Sequence, residues 1–310
     1  MPMATANGIK FHYQQVGTGT NVILIHGMGG NMSVWHANTT LVNLMKEFRV
    51  TIYDLRGHGY SDFVESGYTS ADMAHDLNGL MESINLEKAY LVGHSFGGLI
   101  GLQMASLYPE RVSGLVLAEA SIPSLLHLID LDKWPYRAER EKKLREIDPR
   151  LPNLLDGFNM YLLEYRLRNA SNDETLPLDD FGMRKGLKRI AKRVLKIMDV
   201  TTAKKDMRAV AGLSEEKICQ IYQPVLALYG QFSPLMYICN YLKVNLPNCK
   251  MVAVPEAGHL FPARLPELFV RNIREFLISV ERGIDFKDNF VDNNEVKAEL
   301  HASKKEKFYI

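Results

Sequence analysis

An α/β fold with a mostly parallel central sheet, helices on both faces and an inserted helical cap is what this sequence predicts, and three observations predict it. Short apolar runs alternate with amphipathic stretches of helical length, as they do when helices cross between parallel strands. Two of the runs, Val22-Ile23-Leu24-Ile25 and Val225-Leu226-Ala227-Leu228, are apolar at every position. That suits central strands covered on both sides. The alternation then stops between about residues 121 and 221, a gap far longer than an ordinary crossover.

In chain order, the strand-like runs cover residues 9–14, 22–26, 50–55, 89–94, 115–119, 225–230 and 250–255. Helical stretches are expected at 33–48, 71–84, 96–108 and 266–280. The second of these carries a start signal, because Thr69-Ser70 are good N-cap residues and Asp72 falls in the first turn. The long gap is helix-prone and rich in Leu, Lys and Arg, so it reads as a cap over the carboxyl edge of the sheet. The expected organisation is a core of residues 1–120 and 222–282, a cap of 121–221 and a charged tail of 283–310.

Composition removes several function classes. Of 310 residues, 46% are hydrophobic, ample for a core, and 37 basic side chains face 36 acidic ones. A net charge of +1 carries no global signature of nucleic-acid or membrane binding. Cys219, Cys239 and Cys249 are odd in number and lack Cys-x-x-Cys spacing, which argues against a disulfide framework and a zinc site. The start, Met1-Pro2-Met3-Ala4-Thr5, lacks the basic and apolar regions of a signal peptide. A soluble cytoplasmic protein without metal or cofactor is expected.

The chemistry starts at Gly93-His94-Ser95-Phe96-Gly97, a Gly-x-Ser-x-Gly pattern between the run Ala89-Tyr90-Leu91-Val92 and the helical stretch from Leu99. A serine at such a strand-to-helix turn stands exposed at the sheet edge, beside the positive end of a helix. Three further motifs each follow a strand: His26-Gly27-Met28-Gly29-Gly30, Asp54-Leu55-Arg56-Gly57-His58-Gly59 and Ala257-Gly258-His259. Together, in this order, they resemble the α/β-hydrolase fold across residues 8–282. The resemblance implies Ser95 as nucleophile, His259 as general base, and the backbone amides of Met28 and Phe96 as the oxyanion hole. Serine is a weak nucleophile at neutral pH, so an adjacent imidazole must take its proton. His26, His58 and His94 sit inside motif turns and are expected to make structural hydrogen bonds.

The acid departs from the common family pattern. After the strand that follows the cap the sequence reads Tyr229-Gly230-Gln231-Phe232-Ser233, with Ser233 where the resemblance implies Asp, and no carboxylate occurs from Gln223 until Glu256. Glu256, three residues before His259, reads as exposed loop charge. Glu119 ends the apolar run Leu115-Val116-Leu117-Ala118 and needs a polar partner there. The order Ser95, Glu119, His259 also matches the family order of nucleophile, acid and histidine. Glu119 is therefore the expected acid; the alternative is a cap-anchoring carboxylate, with His259 oriented by Ser233 or water.

An acid at this position is similar to that of some haloalkane dehalogenases and of the decarboxylating thioesterases of polyketide pathways. A serine nucleophile argues against dehalogenation and for acyl chemistry. The basic run from Arg184 to Lys196 has helical spacing and an apolar stripe. Its simple reading is an amphipathic helix with a solvated basic face; its functional reading is a dock for an acidic acyl carrier protein, a phosphopantetheine arm or an anionic substrate. Leu125, Trp134, Tyr161 and Tyr165 are expected to shape an apolar acyl pocket. The expected activity is cleavage of an ester or thioester through an acyl-serine, with thioesterase slightly favoured. General carboxylesterase, decarboxylating thioesterase, carbon–carbon hydrolase and non-catalytic ligand binding on the same fold stay open. The expected partner is a small acyl substrate, with no nucleic acid and no stable membrane insertion.

Overall fold

The computed structural model describes residues 2–147, 149 and 184–284. Eight strands form one sheet: β1 (Met3–Ala6), β2 (Ile9–Val16), β3 (Asn21–Ile25), β4 (Arg49–Tyr53), β5 (Ala89–His94), β6 (Val112–Ala118), β7 (Val225–Gly230) and β8 (Cys249–Val254). Their order is β1-β2-β4-β3-β5-β6-β7-β8. The pairs β1–β2 and β2–β4 are antiparallel, and every other neighbouring pair is parallel.

Side chains alternate across the strands, so the central strands feed two cores. On β3, Ile23 and Ile25 pack with Leu77, Leu99 and Ile238, whereas Val22 and Leu24 pack with Trp35, Leu268 and Phe276. The first core is covered by α3 (Ser70–Ser83), α4 (Phe96–Leu107) and α9 (Met236–Asn245). The second is covered by α1 (Val34–Ala37), α2 (Thr40–Leu44) and α11 (Pro266–Arg282). Burial on both faces explains why the central strands read as unbroken apolar runs.

The α3 start is a reciprocal cap. The Thr69 hydroxyl accepts from the Asp72 N–H at 3.1 Å, and the Asp72 carboxylate accepts from the Thr69 N–H at 3.2 Å. Such a cap contributes about 1 kcal/mol.

Three elements differ from expectation. Residues 33–48 form two short helices, because Thr39 at φ 61° turns the chain left-handed between them. β1 and α9 had no counterpart in the sequence reading.

Between β6 and β7, the regular elements among the described residues are all helical. They are a 3-10 turn at Pro123–Leu128, α5 (Arg137–Ile147), α6 (Arg184–Val200), α7 (Ala203–Asp206) and α8 (Glu215–Cys219). Helix α6 lies against the core near the carboxyl ends of the strands. Its Val194 and Met198 pack with Met28 and Met207, and the Thr202 N–H beyond it donates to the Glu65 carbonyl at 2.9 Å. A short α10 (Phe261–Arg264) precedes α11. No helix among the described residues is long and apolar enough to cross a membrane.

Candidate active site

The parallel strands end on one edge, and three of them deliver side chains there. β5 runs directly into Ser95, whose φ of 55° and ψ of −121° form a strained turn. Holding a non-glycine residue in such a conformation costs on the order of 1–3 kcal/mol. The Ser95 N–H donates to the Ala118 carbonyl at 2.8 Å, tying the turn to β6. Close packing also holds it in place. A Cβ on Gly97 would lie 2.2 Å from the Ile25 carbonyl oxygen, and one on Gly93 would lie 2.3 Å from the Gly97 carbonyl carbon. Only glycine lets α4 begin that close to the sheet.

His259, in the loop after β8, spans the two groups on either side of it. Its Nε2 is 3.1 Å from Ser95 Oγ and its Nδ1 is 3.2 Å from Glu119 Oε2. The carboxylate only accepts, so Nδ1 carries the proton and Nε2 presents a lone pair to the serine hydroxyl. His259 is 15% exposed and Glu119 is 0% exposed, so this relay is open at its histidine and sealed at its acid.

Glu119 is the residue after β6, and its φ of 52° turns it back toward the site. Burial of a carboxylate demands donors, and the end of β7 and the loop after it supply them. The Gly230 N–H donates to Oε1 at 2.6 Å and the Ser233 hydroxyl donates to Oε2 at 2.7 Å. The Leu235 N–H in turn donates to Ser233 Oγ at 3.2 Å. Ser233 thus contacts the carboxylate rather than His259. Position 233, where the resemblance implies Asp, carries instead a hydroxyl that braces the Glu119 carboxylate, a contact between residues 114 positions apart. Glu256 is half-buried at φ 53°, not the exposed loop charge expected.

The backbone amides of Phe96 and Met28 are the expected oxyanion donors: Phe96 is bonded to Ser95, and Met28 is bonded to Gly27, which lies in contact with Ser95. Phe96 is the first residue of α4, so its N–H has no intrahelical acceptor. Met28 lies in the loop after β3, and a Cβ on its neighbour Gly27 would lie 3.1 Å from Ser95 Cβ. This loop therefore runs directly over the serine.

The motif histidines hold the loops, as expected. His26 accepts from the Leu55 N–H at Nε2 (3.1 Å) and donates from Nδ1 to the Gly27 carbonyl (2.8 Å). His58 accepts from the Gly29 N–H at Nε2 (3.2 Å) and donates from Nδ1 to the Arg56 carbonyl (2.8 Å). His94 pairs through Nε2 with the His259 carbonyl at 2.9 Å. Burial pushes His58 and His94 down to about 3, with nearby imidazoles adding to the effect, and burial also lowers His26.

A depressed imidazole contributes stability above its unfolded value near 6.5, and that contribution is lost as pH falls toward the folded value. His58 and His94 should therefore each remove about 1.4 kcal/mol of stability per pH unit below pH 6. Urea midpoints measured from pH 7 to pH 4 should fall steeply. Replacing His94 with Gln should flatten that slope by about one proton, and an unchanged slope would show that His94 is not buried neutral.

Of the expected pocket residues, Leu125 has no exposed surface and packs in the core with Leu117 and Ile122. Trp134 is 5% exposed and meets Tyr136 edge-on at 6.3 Å, and Tyr136 lies 4.4 Å from Phe232 beside the acid's loop. Tyr161 and Tyr165 lie outside the described residues. In α6, Arg193 is turned inward: its guanidinium donates to the Gly57 carbonyl at 2.7 Å and the Ser61 carbonyl at 2.9 Å. Lys196 extends over the Phe63 ring at 4.4 Å. Arg193 therefore does not belong to a freely solvated basic face, whereas Lys192 and Lys196 are exposed.

A family model for the alpha/beta hydrolase fold matches residues 20–262. The chain belongs to that family and is an enzyme of it. It is similar, at 27% identity over 279 residues, to a 2-hydroxy-6-oxononadienedioate/2-hydroxy-6-oxononatrienedioate hydrolase of Burkholderia vietnamiensis; the alignment covers 87% of this chain and 91% of that protein. A 2-(acetamidomethylene)succinate hydrolase of Mesorhizobium japonicum is 25% identical over 271 residues, 87% of this chain and 92% of that one. Among solved structures, a thermophilic esterase from Thermogutta terrifontis superposes with a TM-score of 0.60 at 25% identity, covering 90% of this chain and 98% of the esterase.

Proposed function

We propose that the protein is a serine hydrolase that cleaves a carboxylic ester or thioester through an acyl-serine. The observation that carries this reading is the unbroken line from Ser95 Oγ through His259 to Glu119. In the first step Ser95 Oγ bonds to the acyl carbon while its proton passes to His259 Nε2. The carbonyl oxygen becomes an oxyanion facing the Met28 and Phe96 amides, each such donor being worth about 3–4 kcal/mol. Collapse expels the alkoxide or thiolate, which takes the proton from Nε2. Water then adds to the acyl-enzyme, giving its proton to Nε2, and the acid departs as that proton returns to Ser95. Glu119 holds the imidazole in the tautomer this needs and stabilises the imidazolium.

Residues 121–221 serve in this reading as the cap that shapes the acyl pocket, with Trp134 contributing from its described part; Leu125, expected there, is sealed in the core and does not line it. An ester is favoured over a carrier-bound thioester, on the likeness to the Thermogutta terrifontis esterase and because Arg193 of α6 is engaged against the core. A second reading, carbon–carbon hydrolysis, is supported by the Burkholderia relative and uses the same serine.

The test presents one acyl chain as an oxygen ester, a pantetheine thioester and a thioester on an acidic carrier protein, with Ser95→Ala as the blank. Wild type should hydrolyse the oxygen ester fastest and be labelled by a fluorophosphonate, and Ser95→Ala should lose both. Labelling that survives in Ser95→Ala would overturn the choice of nucleophile. Turnover confined to a vinylogous diketone would replace ester hydrolysis with the second reading.

A further inference from the structure

We propose that Arg193 and His58 form a bracket through which α6 sets the aim of the oxyanion loop, both acting as positioning residues. The proposal rests on the acyl-serine reading above, because it concerns the Met28 N–H as an oxyanion donor.

The bracket can be followed bond by bond. The Met28 N–H shares a peptide plane with the Gly27 carbonyl, and in a trans peptide the two point in opposite directions. Fixing that carbonyl therefore fixes the direction of the amide. It accepts from His26 Nδ1 at 2.8 Å and from the Gly30 N–H at 3.1 Å. On the other side of Met28, the Gly29 N–H is held by His58 Nε2 at 3.2 Å. His58 is 1% exposed, and its Nδ1 is committed to the Arg56 carbonyl, so Nε2 stays a lone-pair acceptor across the working pH range.

The position of the His58 ring is set by its own loop. Asp54 ties the two loops at their far ends, accepting from the Met32 N–H at 2.8 Å through Oδ1 and from the Tyr60 N–H at 2.9 Å through Oδ2. Near His58 itself the tie comes from the insertion between β6 and β7. Arg193 donates to the carbonyls of Gly57 and Ser61, which flank the histidine. One turn of α6 also touches the donor residue directly, since Val194 and Met198 pack with the Met28 side chain. A displacement of α6 is thus transmitted to both sides of the Met28 peptide. Misplacing a reacting or stabilising group by about 1 Å costs on the order of a hundredfold in rate. Loosening the bracket should cost a smaller part of that.

Arg193→Ala and His58→Gln, singly and together, would be assayed on p-nitrophenyl butyrate for kcat and KM. The inhibition constant of phenylboronic acid, which forms a tetrahedral adduct, would be measured in parallel. Arg193→Ala should lower kcat and boronate affinity by about tenfold each while KM moves less than about twofold, since only the oxyanion contact is lost. The double variant should be no slower than His58→Gln alone, because both substitutions cut one chain.

Should Arg193→Ala fail to fold, Arg193→Lys, which keeps the charge but not the two-pronged geometry, should show the same paired loss at about threefold. Unchanged kcat and boronate affinity, or losses that multiply in the double variant, would overturn the bracket. Fluorophosphonate labelling of Ser95 in the wild type separates the two ideas. Its absence overturns the acyl-serine reading and the bracket together; its presence with unchanged kcat overturns the bracket alone.

Discussion

Glu119→Gln should lower kcat by about 10⁴-fold while leaving the fold intact. The donors around the carboxylate dictate this. Gly230 gives its N–H to Oε1, so the amide oxygen of a glutamine stays there, and its NH₂ falls where Oε2 accepted from Ser233 and His259. The Ser233 hydroxyl can rotate to accept, but His259 Nδ1 must give up its proton to do so. The imidazole then carries its proton on Nε2, facing Ser95, and has no lone pair with which to take the serine proton. KM should change little, since the substrate does not touch Glu119. Ser233→Ala removes one donor and leaves the tautomer correct, so its loss should be about tenfold. Steady-state kinetics with circular dichroism would check both. Wild-type rates for Glu119→Gln would reassign the acid as a cap anchor.

Gly97→Ala should destabilise the protein by more than about 3 kcal/mol, beyond the usual range for overpacking. The added methyl would sit 2.2 Å from the Ile25 oxygen, 2.7 Å from the Ile25 carbonyl carbon and 2.8 Å from the His26 oxygen. All three are backbone atoms at the end of β3 and the start of the loop after it, so no side chain can swing aside. Either α4 moves off the sheet or β3 bends, and both separate Ser95 from the loop above it. Urea unfolding should place the midpoint far below wild type, with activity lost before the main transition. Gly101→Ala is the contrast, because its nearest neighbours are side-chain carbons at 3.5 and 3.7 Å. A midpoint shift as small for Gly97→Ala as for Gly101→Ala would refute the close packing inferred at the turn.

Much of this site was legible because it is punctuated locally. Ser95 and His259 each sit in a glycine-marked turn after an apolar strand, and Glu119 is a lone carboxylate ending another. Periodicity gave α3 and the central strands because burial on two faces leaves an imprint on every residue. It failed at residues 33–48, where apolar spacing continues through Thr39 although the backbone reverses there. It also failed at α6, because an amphipathic pattern cannot distinguish a cation in water from one reaching a backbone carbonyl. Arg193 was read as the first and proves to be the second. The bracing of Glu119 by Ser233 and Gly230 depends on which loops meet in space, and adjacency in the sequence carries none of it.

The insertion leaves the sheet only one residue after the buried acid. Ala120 is pinned there by the Tyr229 hydroxyl, which donates to its carbonyl at 2.9 Å, and by Gly98, where a Cβ would stand 2.8 Å from the Ala120 methyl. A change to this insertion that spares the setting of the carboxylate must therefore begin beyond Ala120. The end of β7 and the loop after it carry no carboxylate of their own, yet Gly230, Ser233 and the Leu235 amide that holds Ser233 are all tied to the carboxylate. For anyone exchanging lids between relatives, the splice point on the entering side belongs after Ala120.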